Sequence, residues 1–167
     1  QVLDQNRQAL EHALECFDRS GTFNRFDQPL TIDLLCEWHA MLMAGGLHPD
    51  AGKIRTTVAR CESIVFCPPD QIRHELSHLC NALKSLEASL VKPHATTTAK
   101  ESSSSSDVAL GPVTFAAAAM FGVLDIHPFA NGNGRLARII LNWALRRVGL
   151  PFCMHLFATP TQRSEYI

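Results

Sequence analysis

A helical domain is what this sequence predicts, on three observations. Apolar residues recur at helical spacing in five separate stretches, only one short segment between them has extended character, and glycine, proline or polar breakers stand at most junctions. With 167 residues, 46% of them hydrophobic, the chain is long enough for one domain whose core needs no disulfide or metal staple.

Leu10, Ala13, Leu14 and Phe17 form the stripe of a first helix that ends near Ser20 and Gly21. A second helix follows Pro29: Thr31 can cap it, Asp33 suits its first turn, Leu34, Trp38, Met41 and Leu42 form its apolar face, and Gly45 and Gly46 stop it. From Leu47 to Cys67 the helical period disappears, and Val58, Ile64, Val65 and Phe66 make a short extended segment or hairpin. Pro68, Pro69 and Asp70 open a third helix, with Ile72, Leu76, Leu79, Cys80, Leu83 and Leu86 on one face, that ends before Pro93. Residues 94–107 hold runs of threonine and serine too polar to bury apolar area, which predicts a flexible loop inside the domain. Pro112 is expected to start a fourth, central helix with Val113, Ala116, Ala117, Met120, Phe121 and Leu124 on its apolar face. A polar, glycine-rich turn from His127 to Gly134 leads into a fifth helix faced by Leu136, Ile139, Ile140 and Trp143 and stopped by Gly149. Thr159 and Pro160 carry the start signature of a sixth helix that is then cut off, so residues 1–167 are expected to be one domain excised from a longer protein.

Lys and Arg number 15 against 16 Asp and Glu, a formal net charge of -1. A chain without excess positive charge does not bind nucleic acid or an anionic membrane by bulk electrostatics, so neither is an expected partner. No apolar run approaches the length of a membrane span and the first residues are mixed polar, which predicts a soluble protein. The six cysteines contain no CxxC pair, and several fall on apolar helix faces, where a free thiol acts as a small hydrophobe. They are expected to be reduced, in an intracellular compartment.

The chemistry concentrates in His127-Pro128-Phe129-Ala130-Asn131-Gly132-Asn133-Gly134-Arg135-Leu136-Ala137-Arg138. Gly132 and Gly134 can take positive φ and leave the backbone uncovered, so successive N–H groups can face one concavity. That concavity opens at a helix N-terminus, where free donors and the dipole favour an anion. Arg135 and Arg138 are one turn apart and supply planar forks matched to phosphate oxygens. The pattern describes a polyphosphate site. His127 enters the same turn with the one side chain here whose ordinary pKa lies near neutrality, which suits a general base.

This stretch resembles the signature of Fic-domain proteins, His-x-Phe-x-Asp/Glu-Gly-Asn-Gly-Arg-x-x-Arg. Three further segments fall where such domains carry similar features: AGKIR, the extended segment leading to CPP, and SEYI near the end. The resemblance implies an all-α fold with a short β-hairpin flap beside the active site, and transfer of AMP from ATP to a Ser, Thr or Tyr hydroxyl of a target protein. It implies that His127 deprotonates that hydroxyl while Phe129 packs into the core. Gly132, Asn133 and Gly134 would form the nest around the α- and β-phosphates, and Arg135 and Arg138 would hold the β- and γ-phosphates. A small residue at Gly134 resembles the nucleotidyl-transferring branch; family members with Lys there act as kinases. The flap, residues 58–67, would pair with an extended piece of the target. The Ser/Thr-x-x-x-Glu-Gly/Asn helix that inhibits many members has no match here. The family includes endogenous regulators, toxins and effectors delivered into host cells, so a cytoplasmic location or delivery into a host cell is expected.

The departure is Asn131, where the family usually has an acid that holds Mg²⁺. An amide offers one uncharged oxygen, so Mg²⁺ is expected to be held mainly by the phosphates and water, with Asn131 a weak contact. Other donors (UTP for UMP, or a phosphocholine carrier) and a nucleotide-binding regulatory module without transfer remain the alternatives. His74-Glu75-Leu76-Ser77-His78 also reads as the HExxH of zinc proteases. At about 100° per residue, however, His74 and His78 fall nearly opposite Ile72, Leu76, Leu79 and Leu83, on the face that meets water.

Overall fold

The computed structural model of the protein describes residues 28–43, 49–90 and 105–150, with side chains from residue 111 onward in the last segment. Four helices and one hairpin make up these residues: α1 (Ile32–Met43), β1 (Arg60–Cys61), β2 (Ile64–Val65), α2 (Ile72–Leu90), α3 (Ser105–Ile126) and α4 (Asn133–Arg147). The all-α expectation with one small hairpin holds. The expected first and sixth helices, the Gly45-Gly46 stop, the SEYI segment, Cys16 and Cys153 lie outside the described residues.

Helix α1 begins where its cap requires, with the Leu34 N–H donating to Thr31 Oγ1 at 3.1 Å. Its buried face is Leu34, Leu35, Trp38, His39, Leu42 and Met43, wider than expected by Leu35, His39 and Met43, while Met41 is only half-buried. In α2, Ile72, Leu76 and Leu83 are buried, and Leu79, Cys80 and Leu86 pack against the core. His74 and His78 stand exposed on the opposite face, their ring centroids 4.4 Å apart. Cys36, Cys61, Cys67 and Cys80 are free thiols, and burial pushes Cys80 up to about 11. Glu87, near the end of α2, accepts from Arg147 Nε at 2.6 Å, pinning the C-terminal end of α4 to α2.

Helix α3 corrects two expectations. It starts at Ser105 rather than Pro112, so residues 105–107 of the expected loop are helical; residues 94–104 lie outside the described residues. Pro112 lies within the helix, where it cannot supply the N–H that would reach back four residues. The buried face also differs: Phe115, Ala116, Ala119, Met120, Val123 and Ile126 point inward, while Val113 and Phe121 are 58% and 56% exposed. A helix apolar nearly all round leaves its inward face undetermined by periodicity, and packing against α4 and α2 decides it.

Helix α4 is almost wholly core, burying Leu136, Ala137, Ile139, Ile140, Leu141, Trp143, Ala144 and Leu145. It ends as expected. Gly149 has φ 81°, its N–H donates to Arg146 O, and the Leu150 N–H reaches Leu145 O, both at 3.0 Å, which is a Schellman ending. The α3–α4 pair forms the centre, with α2 packed on α3 and α1 on α4. The loop between α3 and α4 is thereby held at one end of the two most buried helices.

Candidate active site

The loop from His127 to Gly132 is built by three side-chain devices. First, Asn133 opens α4 with its side chain turned back: the Phe129 N–H donates to Asn133 Oδ1 at 3.0 Å and Asn133 Nδ2 donates to Phe129 O at 2.7 Å. Asn133 is 2% exposed. Its expected place in the nest is therefore left to its main chain, because its amide is committed to folding the loop. Phe129 itself is fully buried, as the resemblance implies.

Second, His39 of α1 lies beneath the loop, stacked on Phe129 with ring centroids 3.8 Å apart and planes 6° apart. The Gly52 N–H meets His39 Nδ1 at 2.9 Å, and His39 Nε2 meets Asn131 O at 2.9 Å. Gly52 can only donate and Asn131 O can only accept, so the ring is neutral with its proton on Nε2. His39 escaped the sequence reading. The available signal was a histidine beside Trp38 within an apolar stripe.

Third, Arg55, from the AGKIR segment, is 5% exposed and reaches the end of α3. Its Nε donates to His127 O at 2.6 Å, and its own N–H donates to Pro128 O at 2.9 Å.

Within this frame His127 is half-buried at φ 52°, a conformation side chains rarely adopt, with its N–H closing the last turn of α3 on Val123 O at 3.0 Å. Its Nδ1 faces Leu124 O at 3.3 Å; a carbonyl only accepts, so Nδ1 carries the proton and Nε2 keeps its lone pair. Phe66 of the hairpin stacks on the ring at 3.9 Å and 18°. Burial pushes the His127 pKa below its ordinary value, with the Arg55 cation adding to it and the Leu124 hydrogen bond opposing, so the imidazole is neutral at pH 7.

The anion end begins at Gly132, left-handed at φ 81° and ψ -1°. Its N–H is held by Asn131 Oδ1 at 2.7 Å. Gly134 does not share the positive φ expected for it: it is the second residue of α4, with nothing within 4 Å of where a Cβ would stand. Its role is to leave open space, and the turn is made by Gly132 alone. The N–H groups of Asn133 and Gly134 have no hydrogen-bond partner among the described residues and stand at the positive end of a 15-residue helix. Arg135 is partly buried, its Nη2 at 3.3 Å from Met43 Sδ, and burial lowers its pKa. Arg138 follows one turn on, half-buried.

At Gly132, an added Cβ would lie 3.1 Å from Met43 Sδ and 3.2 Å from His39 Nε2, on a backbone that disfavours any side chain. Gly132→Ala is expected to cost about 1–2 kcal/mol, from left-handed strain alone, in urea denaturation. The same substitution at Gly149, with the same φ and open surroundings, is the control that isolates the contact with His39.

The residues present do not build a Mg²⁺ site of their own. The loop holds no carboxylate, and Asn131 Oδ1, which accepts from the Gly132 N–H, offers a cation one remaining lone pair and no charge. Among the described residues, no three His, Cys, Asp or Glu side chains group so as to hold a metal ion, His74 and His78 included.

A neutral histidine at the end of one helix and two N–H groups without a partner among the described residues at the start of the next thus stand at the two ends of one loop. The sequence from residue 29 to 145 matches the Fic/DOC family, and the chain belongs to it. Protein adenylyltransferase Fic of Nematostella vectensis is 27% identical over 149 residues, 89% of this chain and 30% of that protein. Uridine 5'-monophosphate transferase of Xanthomonas campestris is 28% identical over 135 residues, 74% of this chain and 22% of that protein. A solved structure of a substituted form of Fic-1 from C. elegans superposes with a TM-score of 0.62 at 25% identity, covering 99% of this chain and 43% of that one. The chain thus spans less than a third of the length of these curated relatives. No helix among the described residues is long and apolar enough to cross a membrane.

Proposed function

We propose that this domain transfers a nucleoside monophosphate, with ATP as the first donor to test, to a hydroxyl of a target protein. The observation that carries the reading is the protonation pattern of His127: Nδ1–H is spent on Leu124 O, leaving Nε2 as a base in the loop that leads to the unpaired N–H groups of α4. In the reaction, Nε2 takes the hydroxyl proton of a Ser, Thr or Tyr. The freed oxygen attacks the α-phosphorus, a P–O bond forms, and the bond to the bridging oxygen breaks to release pyrophosphate. The Asn133 and Gly134 N–H groups and the α4 dipole meet the α- and β-phosphate oxygens, and Arg135 and Arg138 hold the β- and γ-phosphates. Phosphates held this way reach the reaction already oriented. The exposed hairpin, with Val58, Ile64 and Val65 more than half exposed, offers the edge on which an extended piece of the target would lie.

The kinship with a UMP transferase makes UTP the second donor. Incubating the purified protein with a cell extract and, separately, ATP, UTP, GTP, CTP or CDP-choline, followed by mass spectrometry of intact and digested proteins, identifies the donor by the mass added. Absence of a label with all five would overturn the reading.

Mg²⁺ would come with the nucleotide, held by phosphates and water, since this loop has no carboxylate to hold it. An acid at position 131 would supply the missing charge, so Asn131→Asp is expected to lower the Mg²⁺ concentration that gives half-maximal labelling. A titration in which Asn131→Asp matches the parent protein would show that position 131 does not face the ion.

A further inference from the structure

We infer that Arg55 and Phe66 couple the hairpin to His127, so that the strand receiving the target and the base receiving its proton move as one body. This rests on the transfer reaction proposed above and adds two positioning residues to it.

Arg55 is a buried cation whose side chain, among the described residues, bonds only to main-chain carbonyls. Nη1 donates to Thr57 O at 2.7 Å, just before the hairpin, and Nη2 donates to Cys67 O at 2.6 Å, just after it. Nε donates to His127 O at 2.6 Å and Nη2 also reaches Ile126 O at 3.3 Å. One guanidinium thus closes the base of the hairpin and, with the same plane, holds the carbonyl of Ile126, the last residue of α3, and that of His127 just beyond it. These carbonyls lie at the negative end of a 22-residue helix, whose dipole offsets the buried charge. Lysine cannot reproduce this arrangement, because its three donors diverge from a single nitrogen.

Phe66 provides the second link. It continues the hairpin, its N–H donating to Ala59 O at 3.1 Å, and its ring covers the His127 imidazole. Arg55 therefore fixes the backbone of His127, and Phe66 fixes the plane of its ring. Neither contacts the anion end, which is braced separately by His39 and Asn133. This separation gives a signature that a general loss of structure would not: the register between acceptor and base can fail while the nucleotide cradle stays intact.

The test compares Arg55→Lys and Phe66→Leu with the parent protein, using ATP as the donor and, as acceptor, the protein labelled in the donor screen. ATP affinity is read by calorimetric titration, and kcat and KM for the acceptor from initial rates. Both variants are expected to lose about 10²-fold in kcat with ATP affinity unchanged, the effect of ångström-scale misplacement. The double variant should lose less than the product of the two single effects, because both act on one residue. Phe66→Leu decides the matter if Arg55→Lys does not fold. Unchanged kcat in Phe66→Leu, or loss of ATP affinity in step with kcat, would overturn the coupling. Absence of labelling by the parent protein would instead overturn the reaction itself, so the two failures are distinguishable.

Discussion

Replacing His127 by alanine is expected to slow transfer by about 10²–10⁴-fold, the usual contribution of a positioned general base. ATP affinity should stay at the parent value, because the N–H groups and arginines proposed to meet the phosphates belong to α4. The measurement is a single-turnover labelling rate beside a nucleotide titration; unaltered labelling would remove His127 from the mechanism. The pH dependence has a definite sign. Burial lowers the His127 pKa, so the neutral, proton-accepting form persists to lower pH than for a free imidazole. The acid limb of the rate profile should accordingly lie below about pH 6.5, the ordinary histidine value. A limb above that value would mean that another group controls the reaction.

Phe129→Ala is expected to have the largest effect on stability, about 3–5 kcal/mol, as for other fully buried aromatic side chains. For a chain of this size that corresponds to a drop in melting temperature on the order of 10 °C. More than a cavity is at stake, because the ring is also the surface on which His39 stacks. Freed of it, His39 loses its fixed orientation between Gly52 N–H and Asn131 O, and the loop carrying Gly132 loses its support. Nucleotide affinity should therefore fall together with stability. Phe129→Leu, which fills most of the space without offering a flat face, separates the two: stability largely recovers and affinity does not. Full recovery of both would reduce Phe129 to a filler of volume.

Local signals carried the fold a long way. Thr31, the Ile72-Leu76-Leu83 stripe, the Leu136-to-Trp143 face and Gly149 act over one or two helical turns, and the structure uses each as the sequence implies. Where the local signal is degenerate, the reading failed: the apolar ring of α3 could not say that Val113 and Phe121 face outward, nor could a mid-helix proline announce a start at Ser105. In the candidate site, the division is between residues proposed to meet ligand and residues that hold the loop. His127, Gly132 and the arginines were visible because their chemistry is written in one continuous segment. His39, 92 residues from its Asn131 partner, and Arg55, 72 residues from His127, act through main-chain groups. Main-chain acceptors have no identity in sequence, so nothing marked these side chains as partners of the loop. Asn133 was visible through its place in the turn, but the folding task of its side-chain amide was not, because its partners are the main-chain groups of Phe129.

The imidazole of His39 constrains any attempt to redesign this domain for another donor. It presents a donor on one edge and an acceptor on another, in a ring thin enough to lie flat on Phe129, and no other natural side chain combines these properties. Position 39 is thus closed to a mutagenesis library, whereas Gly134, with open space around it, is the place where new side chains can be offered to a different nucleotide without disturbing the scaffold beneath.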